Sequence, residues 1–187
     1  MIFTSDLHFF HKNICKFTDR HKFTNPDNHT EWLINLWNSQ VQPGQEVYHL
    51  GDFFFSSKYD QVAEVINHLN GRITCIKGNH CDARLMRKLE ENQLITAFHE
   101  YKEIKIAHHS AVLFHFPVMA WNKQWHGSLH LHGHCHGSLK DSKGRMLDVG
   151  LDNAYNLYGE HKFFTSEDIL EYMQNRSVYT PDHHKER

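Results

Sequence analysis

The 187-residue sequence predicts an α/β fold: two packed mixed β-sheets flanked by helices, a four-layer α/β/β/α sandwich. Two observations lead there. Over residues 1–91, short apolar runs alternate with amphipathic stretches of helical period, the βαβ rhythm of a parallel sheet. From Tyr101 to Val149 the helical period lapses and short strands follow one another, which calls for a second, mixed or antiparallel sheet. With no internal repeat or linker, the length fits a single domain over residues 1–187.

The first strand is the apolar start Met1-Ile2-Phe3-Thr4, running through Ser5-Asp6-Leu7-His8. Phe9 to Asn25 has no clear period and reads as a loop. Pro26-Asp27-Asn28 opens a helix, with Asn28 and Glu31 at capping-box spacing, and Trp32, Leu33, Leu36 and Trp37 share its packing face. Pro43-Gly44 stops it. Glu46 to Leu50 is the second strand and leads into Gly51-Asp52. A helix from about Tyr59 carries Val62, Val65, Ile66 and Leu69 on one stripe and ends at Gly71. Arg72 to Ile76 is the third strand, followed by Gly78-Asn79-His80 and a helix over Asp82 to Glu91. Strands are then expected at Tyr101–His108, Ala111–Phe116, Ser128–His132 and Arg145–Val149. Thr165 and Asp168 begin a last helix, with Ile169, Leu170, Tyr172 and Met173 for packing.

A formal charge of −2 argues against a protein whose main task is gripping a nucleic-acid backbone. No apolar run reaches membrane-spanning length and no basic-then-apolar leader precedes the first strand, so a cytoplasmic protein without a membrane partner is expected. Cys15, Cys75, Cys81 and Cys135 form no CxxC pair, and free thiols are expected. Histidine is the outlier, with 19 residues. His183-His184 sits in the tail, where solvent exposure explains it. Most others stand beside Gly, Asp or Asn at the ends of apolar runs, where a metal site would want them.

Five predicted strand ends carry metal-compatible residues: Asp6 with His8, Asp52, Asn79 with His80, His115, and His134 with His136. In an extended strand, residues i and i+2 project to one side, so Asp6 and His8 would point together, as would His134 and His136. For any one pair alone, a polar strand end beside a turn is the better reading. In α/β sheets, however, the carboxyl ends of strands gather where ligands bind. Gly51 and Gly78, each before a candidate ligand, suit tight turns.

On these blocks the chain resembles the calcineurin-like metallophosphoesterase superfamily: Asp6-Leu7-His8, Gly51-Asp52, Gly78-Asn79-His80, His115 and Gly133-His134-Cys135-His136 occur in that family's order. It is most similar to small single-domain phosphoesterases of bacteria and phages, through Asp6 to Ile14, Tyr48 to Phe53 and Leu131 to His134. The resemblance implies two divalent ions, Mn²⁺ foremost, with Fe, Ni²⁺ or Zn²⁺ as alternatives. Asp6, His8 and His136 would hold the first ion, Asn79, His115 and His134 the second, and Asp52 would bridge them. It further implies a binuclear phosphoesterase working by attack of a metal-bridging hydroxide, with His80 protonating the leaving oxygen or binding a phosphate oxygen.

Substrate charge follows from simple counting. Two divalent ions against the Asp6 and Asp52 carboxylates and one hydroxide leave about +1. A phosphodiester monoanion neutralises that charge and a monoester dianion overshoots it. The expected substrate is therefore a small phosphodiester, such as a cyclic or other nucleotide, with a phosphomonoesterase or a nuclease as alternatives. A catalytically silent scaffold with the same fold is the alternative from another class.

Cys81 stands where the family has an acidic residue, and Asp82 is the candidate to orient His80 in its place. Alternation points Cys135 away from the metals. His11 and Asn13 lie in a loop within reach of substrate, with His11 either on a phosphate oxygen or a plain loop histidine. Asn79, a metal ligand, would also face the substrate. Asn153 and Asn156 are assigned to the same rim. His108-His109 competes with His115 for the fourth block, and the run Ala111 to Phe114 followed by Phe116-Pro117 favours His115, leaving His108-His109 at a turn. Trp121, Trp125 and Phe53 to Phe55 are read first as core or loop packing. Any of them left exposed near the site would be a base-stacking platform.

Overall fold

A computed structural model describes residues 1–18, 20, 22–23, 25–179 and 181. In chain order the elements are β1 (Ile2–Thr4), α1 (Ile14–Phe17), α2 (Pro26–Gln40), β2 (Glu46–His49), α3 (Tyr59–Asn67), β3 (Arg72–Ile76), α4 (Ala83–Glu91) and β4 (Ala97–His99). They continue with β5 (Lys102–Ile106), β6 (His109–Leu113), β7 (Leu129–His132), β8 (Met146–Asp148), α5 (Leu151–Tyr158), β9 (Phe164–Thr165) and α6 (Ser166–Gln174).

Two mixed sheets result. One has the order β4-β3-β2-β1-β9, with β1 to β4 parallel and β9 antiparallel to β1. The other has the order β5-β6-β7-β8, antiparallel between β5 and β6 and parallel beyond. Alternation along the first sheet divides its side chains between two apolar clusters. Ile2, Val47, Ile73 and Cys75 face Leu33 and Trp37 of α2, Val62 and Val65 of α3 and Leu85 and Leu89 of α4. Phe3, Tyr48 and Ile76 face the other way, onto Ile106, Ala111, Leu113, Leu129, Leu131 and Leu147 of the second sheet. Each large side chain fully buried there contributes about 1.5–3 kcal/mol. Ala154 of α5 and Ile169 and Met173 of α6 close the second cluster.

The local signals decide most element boundaries. Asp82 caps α4 by accepting the Arg84 and Leu85 N–H groups, and Thr165 with Asp168 forms a complete capping box at α6. At α2 the cap is Asn25, whose side chain accepts the Asp27 N–H, and not Asn28. Pro26 fits the first helical position, where a missing N–H costs nothing, and this moves the start three residues upstream. Helix α3 stops at Asn67, short of Gly71. The region expected to be a loop holds α1. Elements α5, β4 and β9 add to the expected set; the last two are only three and two residues long and carry too little sequence to show a period. Of the pair expected at a turn, His108 lies between β5 and β6, whereas His109 begins β6 and pairs with Ile106. His183-His184 falls outside the described residues. No described helix is long and apolar enough to cross a membrane.

Candidate metal centre

Strands β1, β2 and β3 of one sheet and β6, β7 and β8 of the other end at a shared edge. Ser5 bridges to Gly150 there, and the Leu151 N–H donates to the Ser5 carbonyl (3.3 Å), tying the sheets together. Every residue expected to hold metal leaves the chain at this edge. The reason two side chains at i and i+2 converge is not strand alternation, however. Strand β1 ends at Thr4 and β7 at His132. Asp6, His8, Asp52, His134 and His136 all lie beyond strand ends with φ between 48° and 70°, the left-handed region. Five of the ten described non-glycine residues with positive φ are therefore candidate ligands. Asp, Asn and His tolerate that region better than most side chains, so the types that bind metal also suit the backbone.

The adjoining glycines work by clearance as much as by turning. A Cβ on Gly78 would overlap the Asp52 carboxylate, and one on Gly133 would overlap Ser5 Oγ and Asp6 Oδ2. Only Gly51 of these three has a positive φ, at 103°.

The donors form one connected cluster. Asp6 Oδ1 lies 3.8 Å from both His8 Nε2 and His136 Nε2. Asp52 Oδ2 stands between the two groups, 3.9 Å from His8 Nε2 and 3.6 Å from His115 Nε2. Asn79 Oδ1 is 2.9 Å from His115 Nε2 and 2.9 Å from His134 Nδ1. Ligand atoms of Asp6, His8 and His136, and separately of Asp6, Asp52 and His115, all fall within 4.8 Å of one another. Asp6 Oδ1 and both ring nitrogens of His8 are buried without any hydrogen-bond partner. Orphaned polar atoms of that kind are rare and costly, and a divalent cation between Asp6 Oδ1 and His8 Nε2 satisfies those two. These donors fit such an ion.

The remaining atoms of these side chains are tied down, which orients the free ones. Asp6 Oδ2 accepts the His134 N–H and Asp52 Oδ1 accepts the His80 N–H, both at 2.9 Å. His115 Nδ1 lies 2.7 Å from the Leu50 carbonyl, so it carries the proton and leaves Nε2 a lone pair for the cluster. Burial pushes the Asp6 carboxyl up to about 7 and drives the His8 imidazole well below its ordinary value.

Two residues that sequence reasoning missed complete this framework. Arg20, fully buried, donates from Nε and Nη2 to both oxygens of Asp152 (3.0 and 2.9 Å) and from Nη1 and Nη2 to the Leu7 and Asp6 carbonyls (both 2.8 Å). Asp152 Oδ2 in turn accepts from His136 Nδ1 at 2.6 Å. Burial opposes the charge on His136, but this hydrogen bond and the carboxylates of Asp6 and Asp152 outweigh it and raise its pKa. Arg20 lies in an aperiodic stretch and Asp152 is 16 residues beyond His136, so neither spacing signalled the link.

Outside the cluster, His80 is exposed and reaches it through its backbone. Asp82 caps α4 through Oδ1, and among the described residues no hydrogen bond joins its carboxylate to His80. The Cys81 thiol accepts from the Gly78 N–H (3.3 Å), and burial pushes its pKa up, which disfavours a thiolate nucleophile. Cys135 is also raised by burial, to about 11. His11 is half-buried, its ring 5.3 Å from that of His8. Asn153 and Asn156 donate to the Asp148 and Gly137 carbonyls and brace backbone. Phe53 and Phe54 are core, and Trp121 donates to Ser128; Phe55 and Trp125 stay exposed.

No family model matches the chain. Among solved structures, a protein of unknown function from Aquifex aeolicus, AQ665, is similar at a TM-score of 0.66 and 21% identity, over 92% of this chain and 98% of that one. That likeness establishes the fold, two packed mixed sheets with flanking helices. A novel archaeal phosphodiesterase is similar at a TM-score of 0.49 and 17% identity, over 84% of this chain and 87% of its own. Among curated proteins, the uncharacterized protein MJ1445 of Methanocaldococcus jannaschii is 33% identical over 138 residues, 73% of this chain and 69% of that protein. At that identity and coverage the chain belongs to the same family as MJ1445.

Proposed function

We propose that the chain, acting as one domain, is a binuclear metal-dependent phosphoesterase that hydrolyses small phosphodiesters, cyclic or other nucleotides among them. The observation that carries this reading is the orphaned pair Asp6 Oδ1 and His8 Nε2, buried opposite Asp52 Oδ2. Asp6, His8 and His136 would hold one ion, Asn79, His115 and His134 the other, and Asp52 both. When bound, two divalent ions, Mn²⁺ foremost, supply Lewis acidity and water activated near neutral pH.

The chain's own residues do the rest. Asp52 sits between the two donor groups, where one carboxylate can serve both. Asn79 contributes a neutral oxygen, which preserves positive charge for an anionic substrate. His80, fixed at its backbone by Asp52 and open to solvent at its ring, would hand a proton to the departing oxygen or hold a phosphate oxygen. The charge balance favours a monoanionic diester over a dianionic monoester.

The test is turnover of a generic aryl phosphodiester with Mn²⁺, abolished by chelator and by Asp52→Ala. Rates on a matched monoester and on single-stranded DNA separate the phosphomonoesterase and nuclease alternatives. Folded protein that binds less than one ion per chain and turns over nothing across several metals would instead establish the scaffold.

A further inference from the structure

Three consecutive phenylalanines follow Asp52, and the chain treats the third differently. Phe53 and Phe54 are buried, whereas Phe55 keeps 43% of its surface in contact with solvent. That exposure does not come from a loose backbone. The Phe55 N–H donates to the Phe9 carbonyl (2.8 Å) and the Phe9 N–H to the Phe53 carbonyl (2.9 Å), a short ladder reinforced by a Phe9–Phe54 bridge. One face of the Phe55 ring is backed by His11, with centroids 4.1 Å apart and planes 19° from parallel. His80 stands beside it at 5.4 Å, tilted by 55°. Beyond the ring, Phe55, Ser56, Ser57, Lys58, His80 and Asp82 line an open groove of about 360 Å³.

The groove adjoins the candidate metal centre. The His8 ring is 5.3 Å from His11 and 5.9 Å from His80, so the aromatic pair borders a candidate ligand directly. A group leaving phosphorus on the side of His80 would depart into this groove. A rigid, half-exposed ring backed by a second ring presents a flat apolar surface, which planar groups recognise by offset stacking. Lys58 and the Ser57 hydroxyl give the same groove polar partners for the edge of a heterocycle, while the Ser56 hydroxyl donates to Gln61 Oε1 and accepts the Lys58 N–H.

We propose that the His11–Phe55 stack is a base-binding subsite for the leaving group, so that the substrate is a nucleoside phosphodiester whose base lies on Phe55. The inference rests on the phosphoesterase reading above and adds to it the class of leaving group. In the step so arranged, water gives up one proton to solvent as its oxygen bonds to phosphorus, the P–O bond to the nucleoside hydroxyl breaks, and the departing oxygen takes a proton from protonated His80, which solvent then restores.

The test uses thymidine 5′-methylphosphate and its analogue lacking the base, which share the scissile bond and the leaving hydroxyl. The Mn²⁺-loaded protein should favour the base-bearing diester by about tenfold in kcat/KM, mostly through KM. Phe55→Tyr should keep that ratio, and Phe55→Leu, which keeps apolar bulk without a ring, should bring it towards one. A binding measurement without turnover accompanies it: saturation transfer from protein to the base protons of thymidine, retained in Phe55→Tyr and lost in Phe55→Leu. No base preference, or a preference and a transfer signal both unchanged in Phe55→Leu, overturns the subsite. If neither diester is turned over but the transfer signal depends on Phe55, the stacking surface stands and the phosphoesterase reading falls. Absence of both turnover and transfer overturns the subsite as well.

Discussion

Replacing Asp152 by Asn tests whether metal affinity depends on a residue that is not a proposed ligand. In the native chain one carboxylate serves three donors: Oδ1 takes Arg20 Nε, while Oδ2 takes both Arg20 Nη2 and His136 Nδ1. An amide of the same shape cannot do this. With its oxygen towards Nε, its NH₂ faces two donors and forces His136 Nδ1 to accept, which puts the ring proton on Nε2, the atom aimed at Asp6. Flipped, the NH₂ meets Arg20 Nε and breaks the arginine fork instead. Loss of an orienting partner of this kind costs about 10–100-fold in metal affinity. That corresponds to about 1.4–2.7 kcal/mol. Competition for Mn²⁺ with a fluorescent chelator, read beside circular dichroism and thermal melting, measures it. Native-like affinity in a well-folded Asp152→Asn protein would refute the orienting role.

Other expectations follow from the same geometry. His80→Ala should lower kcat on an aryl phosphodiester by about 10²–10⁴-fold while metal content by elemental analysis stays unchanged, because only its backbone touches Asp52. Gly78→Ala should release metal at both positions, since the added methyl overlaps the Asp52 carboxylate; retention of two ions per chain would show that the loop can shift aside. Acid stability provides a check on histidines that are not proposed ligands. His29 and His130 are buried, and desolvation drops both to about 3, below the ordinary value of 6.5. A depressed histidine contributes stability that is complete above 6.5 and is lost as pH falls from there towards 3, at about 1.4 kcal/mol per pH unit for each group. His29→Phe, which keeps the ring between Phe23 and Trp32, should reduce the pH slope of chemical denaturation between pH 6 and 4. An unchanged slope would place the acid sensitivity elsewhere.

How far the sequence carried the site depends on which interactions are local. The elements around β1, β2 and β3 were legible because apolar alternation, proline and capping residues act within a few positions. The candidate ligands were legible because each follows an apolar run that ends at one sheet edge. Two things were not. The first is Arg20, whose four hydrogen bonds reach carbonyls 13 and 14 residues away and a carboxylate 132 residues away, from a stretch without period. The second is the backbone reason for convergence, since Asp6-Leu7-His8 and His134-Cys135-His136 spell a strand pattern but lie in left-handed turns.

Those two omissions are connected. Beyond the end of β1 the Asp6 and His8 N–H groups still donate to the Gly51 and Asp52 carbonyls (both 3.0 Å), but the carbonyls of Asp6 and Leu7 and the residues after β7 need another partner. At Asp6 and Leu7 it is Arg20, which binds both carbonyls; at His134 it is the Asp6 carboxylate, which accepts its N–H; at His136 it is Asp152, itself held by Arg20. A single buried guanidinium thus touches or stands one bond from three of the five left-handed candidate ligands. Left-handed residues persist only where their surroundings over-determine them. Arg20→Lys keeps the charge but offers a point donor in place of a fork, so it should loosen both D-x-H and H-x-H turns together. Its signature would be coupled loss of metal affinity and thermal stability, whereas Asp152→Asn should affect mainly the affinity. If Arg20→Lys lowers neither, the turns are held by the two-sheet core alone, and the arginine is a consequence of the site's geometry and not its cause.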